Sequence, residues 1–199
     1  MATLTWDASG AKKYELGIDH GVFYPMTNGT YGTGVVWNGL INVSLNPTGG
    51  DVTKLRADNI VYGTVRSTEE MEGSITAYTT PAGFEACDGR VATTTGTGVD
   101  SAFVAGQERQ KFAFAFRSQV RDDTGTKKYK VTTVYGVSIS PSERTYETIT
   151  DSPDGQQLQW NFTAEGMTVT GIDKPVAVYE QVGASIDVTD TLAVPTAVI

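Results

Sequence analysis

The sequence predicts a mainly β protein, an antiparallel β-sandwich or half-barrel flanked by one short α-helix. Several segments alternate apolar and polar residues with a period of two, the pattern of strands with one buried face. Thr recurs throughout, and the 22 glycines among 199 residues indicate frequent turns. Helical spacing of apolar residues is confined to a short segment at 81–89.

The chain divides by composition into three parts. Residues 1–34 form an N-terminal arm that is rich in Gly and aromatic residues and has a predicted turn at Asn28-Gly29. Residues 35–174 form the β domain. Residues 175–199 form a C-terminal tail with few large side chains and no strong period, so we expect it to be flexible or ordered only at an interface.

Two alternating segments open the β domain. The first is a long strand whose inward positions are Val35, Trp37, Ile41, Val43 and Leu45 and whose outward positions are Asn38, Asn42, Ser44 and Asn46. A turn is predicted at 47–51. The second strand starts at Glu69, with Met71, Ile75 and Ala77 facing inward and Glu70, Glu72, Ser74 and Thr76 facing outward. Between them, 47–66 is predicted to be a long loop with a short strand near 59–65.

The helix candidate follows at 81–89. Pro81 lies near its first turn, where a missing N–H costs nothing, and Gly89 is placed to end it. Phe84 and Cys87 are three residues apart, so they can share a buried face. Residues 90–106 are rich in Thr and Gly and are predicted to form a loop.

Three further strands are predicted from alternation. Their inward residues are Phe112, Phe114 and Phe116 in the first, Tyr129, Val131, Tyr135, Val137 and Ile139 in the second, and Leu158, Trp160 and Phe162 in the third. A hairpin turn at 122–127 joins the first two.

Composition limits the functional classes. The formal net charge is −8 and the sequence pI is about 4.6, which argues against tight nucleic-acid binding because that needs a basic face. A single cysteine allows no intrachain disulfide and fits assembly in a reducing cytosol. No apolar stretch approaches the roughly 20 residues of a membrane helix.

Residues with catalytic potential are few. His20 is the only histidine and has no nucleophile-elbow motif near it. Cys87 lies on the apolar side of the predicted helix, which favours a small buried side chain over a nucleophile. One His and one Cys cannot form a usual zinc site. Glu70 and Glu72 share a strand face but have no aromatic sugar platform beside them. We therefore expect no catalytic site, no metal site and no cofactor.

The order of several blocks resembles the major tail tube proteins of long-tailed (siphovirus-type) bacteriophages. The blocks are VVWNGLINVSLNPTGGD, LRADNIVYG, EEMEGSITAYTTPAGFEACDG, and KKYKVTTVYGVSISPSERTYETITDSPDG with the LQWNF strand after it. The resemblance covers roughly Asp19 to Met167, and the succession of these blocks carries it.

The resemblance implies a structural virion protein. Its fold would be similar to the type VI secretion tube protein, and its hexameric rings would stack into a tail tube that conducts DNA without binding it tightly. Its partners would be further copies of itself and the tape measure, tail terminator and baseplate proteins of the virion. The subunit would be assembled in the host bacterial cytoplasm and located in the virion tail.

Two sets of residues follow from this interpretation. The lumen is expected to be lined by the outward residues Asn38, Asn42, Ser44, Asn46, Glu70, Glu72, Ser74 and Thr76. The 47–66 loop is expected to contact the next ring through Asp51, Lys54, Arg56 and Asp58, because so long a loop in a compact domain is usually functional. Two alternatives stay open: a β-sandwich adhesin or carbohydrate-binding module with a ligand groove, and a glycosidase-like enzyme using Glu70 and Glu72.

Overall fold

The fold is mainly β and antiparallel, as the sequence predicts. The computed structural model describes residues 8–66, 69–93, 102–141, 148, 155–169, 172 and 175–186. Within these ranges the strands are β1 (Lys13–Thr27), β2 (Thr30–Tyr31), β3 (Val35–Trp37), β4 (Leu40–Gly49), β5 (Val52–Ala57), β6 (Ile60–Arg66), β7 (Glu69–Ala77), β8 (Val91–Thr93), β9 (Ala102–Val104), β10 (Phe112–Asp122), β11 (Lys127–Ile139), β12 (Leu158–Ala164) and β13 (Val178–Gly183).

The first sheet contains β1, β10, β11 and β13, in that order. Each neighbouring pair is antiparallel, and one row of partners crosses the whole sheet from Leu16 through Gln119 and Tyr129 to Gly183. The sheet is therefore continuous from the N-terminal strand to the last described strand of the chain.

The second sheet contains β4, β7 and β12. It joins the first sheet where Phe162 at the end of β12 pairs with Ile139 of β11. On the other side β3 pairs with β1, while β4, which follows β3 after two residues, pairs with β7. The two sheets are therefore parts of one nine-stranded sheet, hydrogen-bonded to each other between β11 and β12 and linked through the chain between β3 and β4.

The main core lies between the two sheets and is built from aromatic rings. Phe84 is fully buried, and its ring centroid lies 5.0 to 5.6 Å from those of Trp37, Trp160, Phe112 and Phe23. Such tilted and edge-to-face contacts are favourable beyond simple burial. Phe84 therefore joins both sheets at one point.

A 3₁₀ helix of three residues, Phe84–Ala86, occupies the place of the predicted α-helix. The predicted α-helix is wrong, because a left-handed Gly83 precedes the turn and a left-handed Gly89 follows it within a few residues. The shared buried face is confirmed, since Phe84 and Cys87 are both fully buried in the main core.

A second cluster covers the outer side of the first sheet. Val131, Tyr135 and Ala115 contribute to it from the central strands, and Met167 and Val176 pack over them from the chain after β12. Strands β10 and β11 are consequently buried on both sides. This explains why Ala113 and Ala115 are as buried as Phe112 and Phe114, which alternate with them.

The predicted N-terminal arm is wrong for Lys13–Thr27, which form the longest strand of the structure and pair with β10. The predicted flexible tail is likewise wrong for Val178–Gly183, which form β13. Residues 1–7 and 187–199 lie outside the described residues. The predicted turn at Asn28-Gly29 is confirmed, since both residues have positive φ and connect β1 to β2.

The predicted long strand from Val35 is broken at Asn38 and Gly39. Gly39 adopts φ 80, and the chain restarts as β4 at Leu40. A bulge follows, because Leu40 pairs with Ala77 while Asn42 pairs with Thr76. Ile41 is the extra residue and is exposed, so its predicted inward orientation is wrong, and Leu40 packs against the core instead.

The predicted shared face of β11 is also wrong in its second half. Val131 and Tyr135 lie in the outer cluster, whereas Val137 and Ile139 lie in the main core. The change of side occurs at Gly136, where φ is 59 and a Cβ would lie 2.5 Å from the carbonyl oxygen of Glu165. Only glycine fits this backbone, and it moves the rest of the strand to the other face.

The short strand predicted near 59–65 is confirmed as β6, whereas the predicted loops before it and at 90–106 contain further paired strands. Residues 52–66 form a two-stranded ribbon, β5 and β6, and residues 91–93 pair with 102–104 as β8 and β9. The predicted turn at 47–51 is displaced, because β4 continues to Gly49. The 122–127 turn is confirmed: the Asp122 carboxylate accepts hydrogen bonds from the N–H groups of Thr124 and Thr126.

Candidate functional site

The outward side of the second sheet forms a continuous strip of polar side chains, here called the polar strip. Three rows of paired residues cross it: Asn42–Thr76–Gln159, Ser44–Ser74–Asn161 and Asn46–Glu72–Thr163, with Thr48 beside Glu70 at its end. Opposite positions on neighbouring strands point to the same side of a sheet. Seven of the eight predicted lumen residues therefore share one surface.

Burial follows the expected alternation on all three strands. Asn42, Ser44 and Asn46 are exposed while Val43 and Leu45 between them are partly buried against the core. Trp160 and Phe162 of β12 are buried, and the residues between and beside them are exposed. The strip is therefore the wet surface of a sheet whose other side is core.

The charge of the polar strip is of one sign. Glu70 and Glu72 are exposed, and no Lys or Arg occurs anywhere in the sequences of β4, β7 and β12. In contrast, β10 and β11 together contain Arg117, Arg121, Lys127, Lys128 and Lys130. Basic residues are thus excluded from one whole sheet in a chain that has 15 of them.

Asn38 does not belong to the polar strip. It lies in the two-residue break between β3 and β4, and its carbonyl oxygen accepts a hydrogen bond of 2.6 Å from the Thr79 hydroxyl. Sequence alternation predicts Asn38 on the same side as Asn42, because the break in the strand at Gly39 does not interrupt the apolar–polar pattern around it. Gln159, Asn161 and Thr163 of β12 were missed as strip residues, although their alternation with Trp160 and Phe162 was the available signal.

A shallow groove crosses the strip beside Gly73. It is lined by Ser44, Asn46, Glu72, Ser74 and Asn161, among others. The one aromatic residue in its lining, Phe162, is only 2% exposed. Sugar-binding grooves use an exposed aromatic face, which this groove lacks.

The β5–β6 hairpin carries the predicted inter-ring residues. It is paired with neither of the two sheets among the described residues, and every side chain of β5 is exposed. Its tip is Asp58-Asn59, both with positive φ, which is the tight turn that matches the twist of a hairpin. Asp51 precedes β5, so the four predicted residues all lie on this hairpin or at its base.

The hairpin has two different sides. Lys54 and Arg56 alternate with Leu55 and Ala57, so the basic residues share one side. Cross-strand pairing places Val65 beside Thr53 and Ile60 beside Ala57 on the other side, which carries no charge. Leu55, Ile60 and Val65 are 47%, 64% and 53% exposed. The sequence predicts the charges but not this apolar side, because 47–66 is interpreted there mainly as a loop.

The residues considered for catalysis are held in structural contacts. His20 Nδ1 lies 2.8 Å from Nη2 of Arg117 and 3.1 Å from Oδ1 of Asp19. Arg117 also donates two hydrogen bonds to the Asp19 carboxylate, and this lowers the pKa of Asp19. Burial raises the pKa of Cys87 to about 12, so its thiol stays protonated and unreactive at neutral pH.

Among the described residues, no group of three or more His, Cys, Asp or Glu side chains is placed to hold a metal ion. No helix in the same part of the chain is long and apolar enough to cross a membrane. The chain matches no protein-family model, and its sequence matches no curated protein.

Proposed function

We propose that this chain is a structural subunit of a tube that conducts DNA, the major tail tube protein of a long-tailed bacteriophage. The observation that carries the proposal is the polar strip: an exposed sheet surface of amides, hydroxyls and two carboxylates, without a basic residue in its three strands. Hexameric rings would place this surface around a lumen and stack into the tube. The fold would then be of the type VI secretion tube kind.

The electrostatics of the strip suit a conduit. Duplex DNA has one negative charge per roughly 1.7 Å of axis, and lysines or arginines that neutralise its phosphates bind it by releasing counterions. Bound DNA does not pass quickly. Glu70 and Glu72 repel the duplex within about a Debye length, roughly 10 Å at moderate salt, and the neutral side chains keep the wall hydrated.

The β5–β6 hairpin supports self-assembly. Its uncharged side exposes three large aliphatic side chains, and the exposure of apolar surface to water is energetically unfavourable. A neighbouring ring would cover that side, and Lys54 and Arg56 on the other side would meet acidic groups of an acidic neighbour. In the virion the tube would also contact the tape measure, tail terminator and baseplate proteins.

Electron microscopy of the purified chain tests the proposal directly. We expect rings or tubes, and a monomer at every concentration would contradict it. Deleting Thr53–Asp58 should leave a folded subunit that forms no tubes, since the hairpin lies outside both sheets. Normal tubes from this deletion variant would show that the hairpin does not contribute to the contact between rings.

Lysine substitution tests the lumen. Virions whose tube carries Glu70→Lys and Glu72→Lys should assemble, because neither side chain is in the core, and should eject DNA slowly or incompletely. The matched control is Glu85→Lys with Glu108→Lys, which changes the net charge equally away from the strip. Ejection at the control's rate would exclude the strip from the lumen.

The alternative function, a carbohydrate-binding module or adhesin, would use the groove beside Gly73, although no exposed aromatic ring lines it. Its hydroxyl and amide lining could bind sugar hydroxyls. Binding of a glycan by the monomer, abolished by Asn161→Ala, would support that function over the tube.

A further inference from the structure

The outer side of the first sheet is only partly covered. Ala115 of β10 and Val131 of β11 are buried in the outer cluster. Further along the same side, toward the β10–β11 turn, Tyr14 and Leu16 are 49% and 43% exposed. Opposite positions on neighbouring strands point to the same side of a sheet. The uncovered surface, here called the outer patch, therefore consists of two rows of paired residues, Tyr14–Arg121–Lys127 and Leu16–Gln119–Tyr129.

Two basic side chains lie directly opposite each other in the outer patch. Arg121 of β10 pairs with Lys127 of β11, the first residue of that strand. Like charges at directly opposite positions destabilise a sheet. Within the described part of the chain, neither residue forms an ion pair with a carboxylate. An anion bound between the two side chains would remove their repulsion.

Carboxylates in the same part of the sheet already have partners. Asp122 accepts hydrogen bonds from two N–H groups of its own turn, and Asp123 accepts one of 2.7 Å from a backbone N–H. On the inner side of the sheet, Lys130 binds Glu15 of β1 at 2.7 Å and Glu180 of β13 at 3.3 Å. The anion for the basic pair would therefore come from another molecule.

Arg121 is held in a fixed orientation beside a cleft. Its Nε and Nη2 donate hydrogen bonds of 3.1 and 2.8 Å to Oε1 of Gln119. The remaining N–H groups of the guanidinium stay available, and a guanidinium binds a carboxylate through two parallel hydrogen bonds. The cleft, of about 270 Å³, is lined by both residues, by Leu16 and by Gly17, which has no side chain to fill it. Because Arg121 is oriented in advance, little order is lost when it binds a ligand.

Tyr14 adds an aromatic surface next to the basic pair. It lies opposite Arg121 on the neighbouring strand, at a strand spacing of about 4.8 Å. Sugar-binding surfaces use an exposed aromatic face, which the groove beside Gly73 lacks and Tyr14 offers. In a uronic acid the carboxylate is attached to the sugar ring itself. One such sugar therefore reaches the aromatic ring and the basic pair together.

We propose that the outer patch binds an acidic polysaccharide. The carboxylate of a uronic acid lies between Arg121 and Lys127, and its sugar ring packs on Tyr14. The formal net charge of −8 disfavours duplex DNA at this surface. The inference goes beyond the proposed function, because the outer patch belongs to the first sheet and the polar strip to the second. Assembly into a tube is not required for this binding.

Calorimetric titration of the full chain with polygalacturonate at low salt tests the proposal. Arg121→Gln and Lys127→Gln should each weaken binding about tenfold, because each removes a hydrogen bond to a charged group. Lys127 is exposed, so its variant should keep the circular dichroism of the parent. Tyr14→Ala should weaken binding several-fold, whereas Tyr14→Phe keeps the ring and should bind like the parent. Equal binding by Tyr14→Ala and the parent would refute the contact with the sugar ring.

The matched control is Lys128→Gln. It makes the same change of charge at the next residue, whose side chain projects from the inner side of the sheet. Its binding should equal that of the parent, and a loss as large as that of Lys127→Gln would reduce the effect to general charge and overturn the site. Asn161→Ala, in the groove beside Gly73, should also bind like the parent, and a loss of binding there would place the polysaccharide in that groove instead.

Two further polymers identify the ligand chemistry. Dextran, which has the sugar rings without the charge, should not bind. Poly-L-glutamate, which has the carboxylates without the rings, should bind at least several-fold more weakly than polygalacturonate. Equal binding of poly-L-glutamate would assign the outer patch to acidic peptides and overturn the proposal.

The outcomes separate this inference from the proposed function. Rings or tubes from a chain that does not bind polygalacturonate would overturn the polysaccharide site and leave the tube intact. A chain that stays monomeric and binds polygalacturonate through Arg121 and Lys127 would support the site and contradict the tube.

Discussion

Replacing Phe84 with alanine should cost roughly 3–5 kcal/mol of the free energy of unfolding. Phe84 is 0% exposed, and four other rings lie within 5.6 Å of it, from both sheets. Removing it leaves a cavity that rigid neighbouring rings fill poorly, so the loss should fall in the upper part of that range. At an m-value of about 2 kcal/mol/M, a loss of about 4 kcal/mol lowers the urea midpoint by about 2 M.

Tryptophan fluorescence measures this loss, because Trp37 and Trp160 both contact Phe84. Glu85→Ala in the same turn is the control and should change stability by less than about 0.5 kcal/mol, since Glu85 is only partly buried. A loss below about 1 kcal/mol for Phe84→Ala would refute the assignment of Phe84 as the residue that joins the two sheets.

Three other predictions concern single side chains. Gly73→Ala should destabilise the second sheet by about 1–3 kcal/mol, because a Cβ would lie 2.1 Å from the Ser44 carbonyl oxygen and 2.6 Å from the Phe162 ring; an unchanged urea midpoint would show that the backbone adjusts freely. Cys87 should react with a thiol reagent at pH 8 only after unfolding, since burial raises its pKa to about 12, and rapid labelling of the native chain would contradict its burial. Burial raises the pKa of Glu15, but hydrogen bonds from Lys130 and Ser118 lower it by more. The net pKa of Glu15 therefore lies below its usual 4.5. Its contribution to stability is therefore present above pH 4.5 and is lost as the pH falls through the lowered pKa. Glu15→Gln should flatten the stability profile in that range, and identical profiles would exclude the contribution.

The sequence predicted the strands whose alternation is uninterrupted. In β12, and in β7 from Met71 onward, inward positions hold apolar residues or glycine and outward positions hold polar residues, so the period of two alone gave their sides correctly. The polar strip was predictable for the same reason, except for the contribution of β12. Where two facing layers bury both sides, as at Ala113 and Ala115, alternation carries no information about orientation.

The missed elements share a different cause. Strand β1 has bulges at Gly17 and between Asp19 and Val22, and each bulge shifts its period. Gly136 and Ile41 disturb β11 and β4 in the same way. Strand β13 has no strong pattern because it is an edge strand held by pairing with β11 and by the Lys130 contacts, not by deep burial. The structure of these strands is determined by pairing between segments that are distant in the sequence. The local sequence does not contain this information.

The topology of the first sheet also determines the order in which its strands can pair during synthesis. Its outer strands come from opposite ends of the described chain, Lys13–Thr27 and Val178–Gly183, and β1 pairs with a strand about 100 residues downstream. At roughly 5–20 residues per second, about 5–20 s separate the emergence of β1 from that of its partner β10, and several more seconds pass before β13 appears. A nascent chain therefore carries β1 without its partner for several seconds, and the first sheet is completed only when β13 pairs with β11.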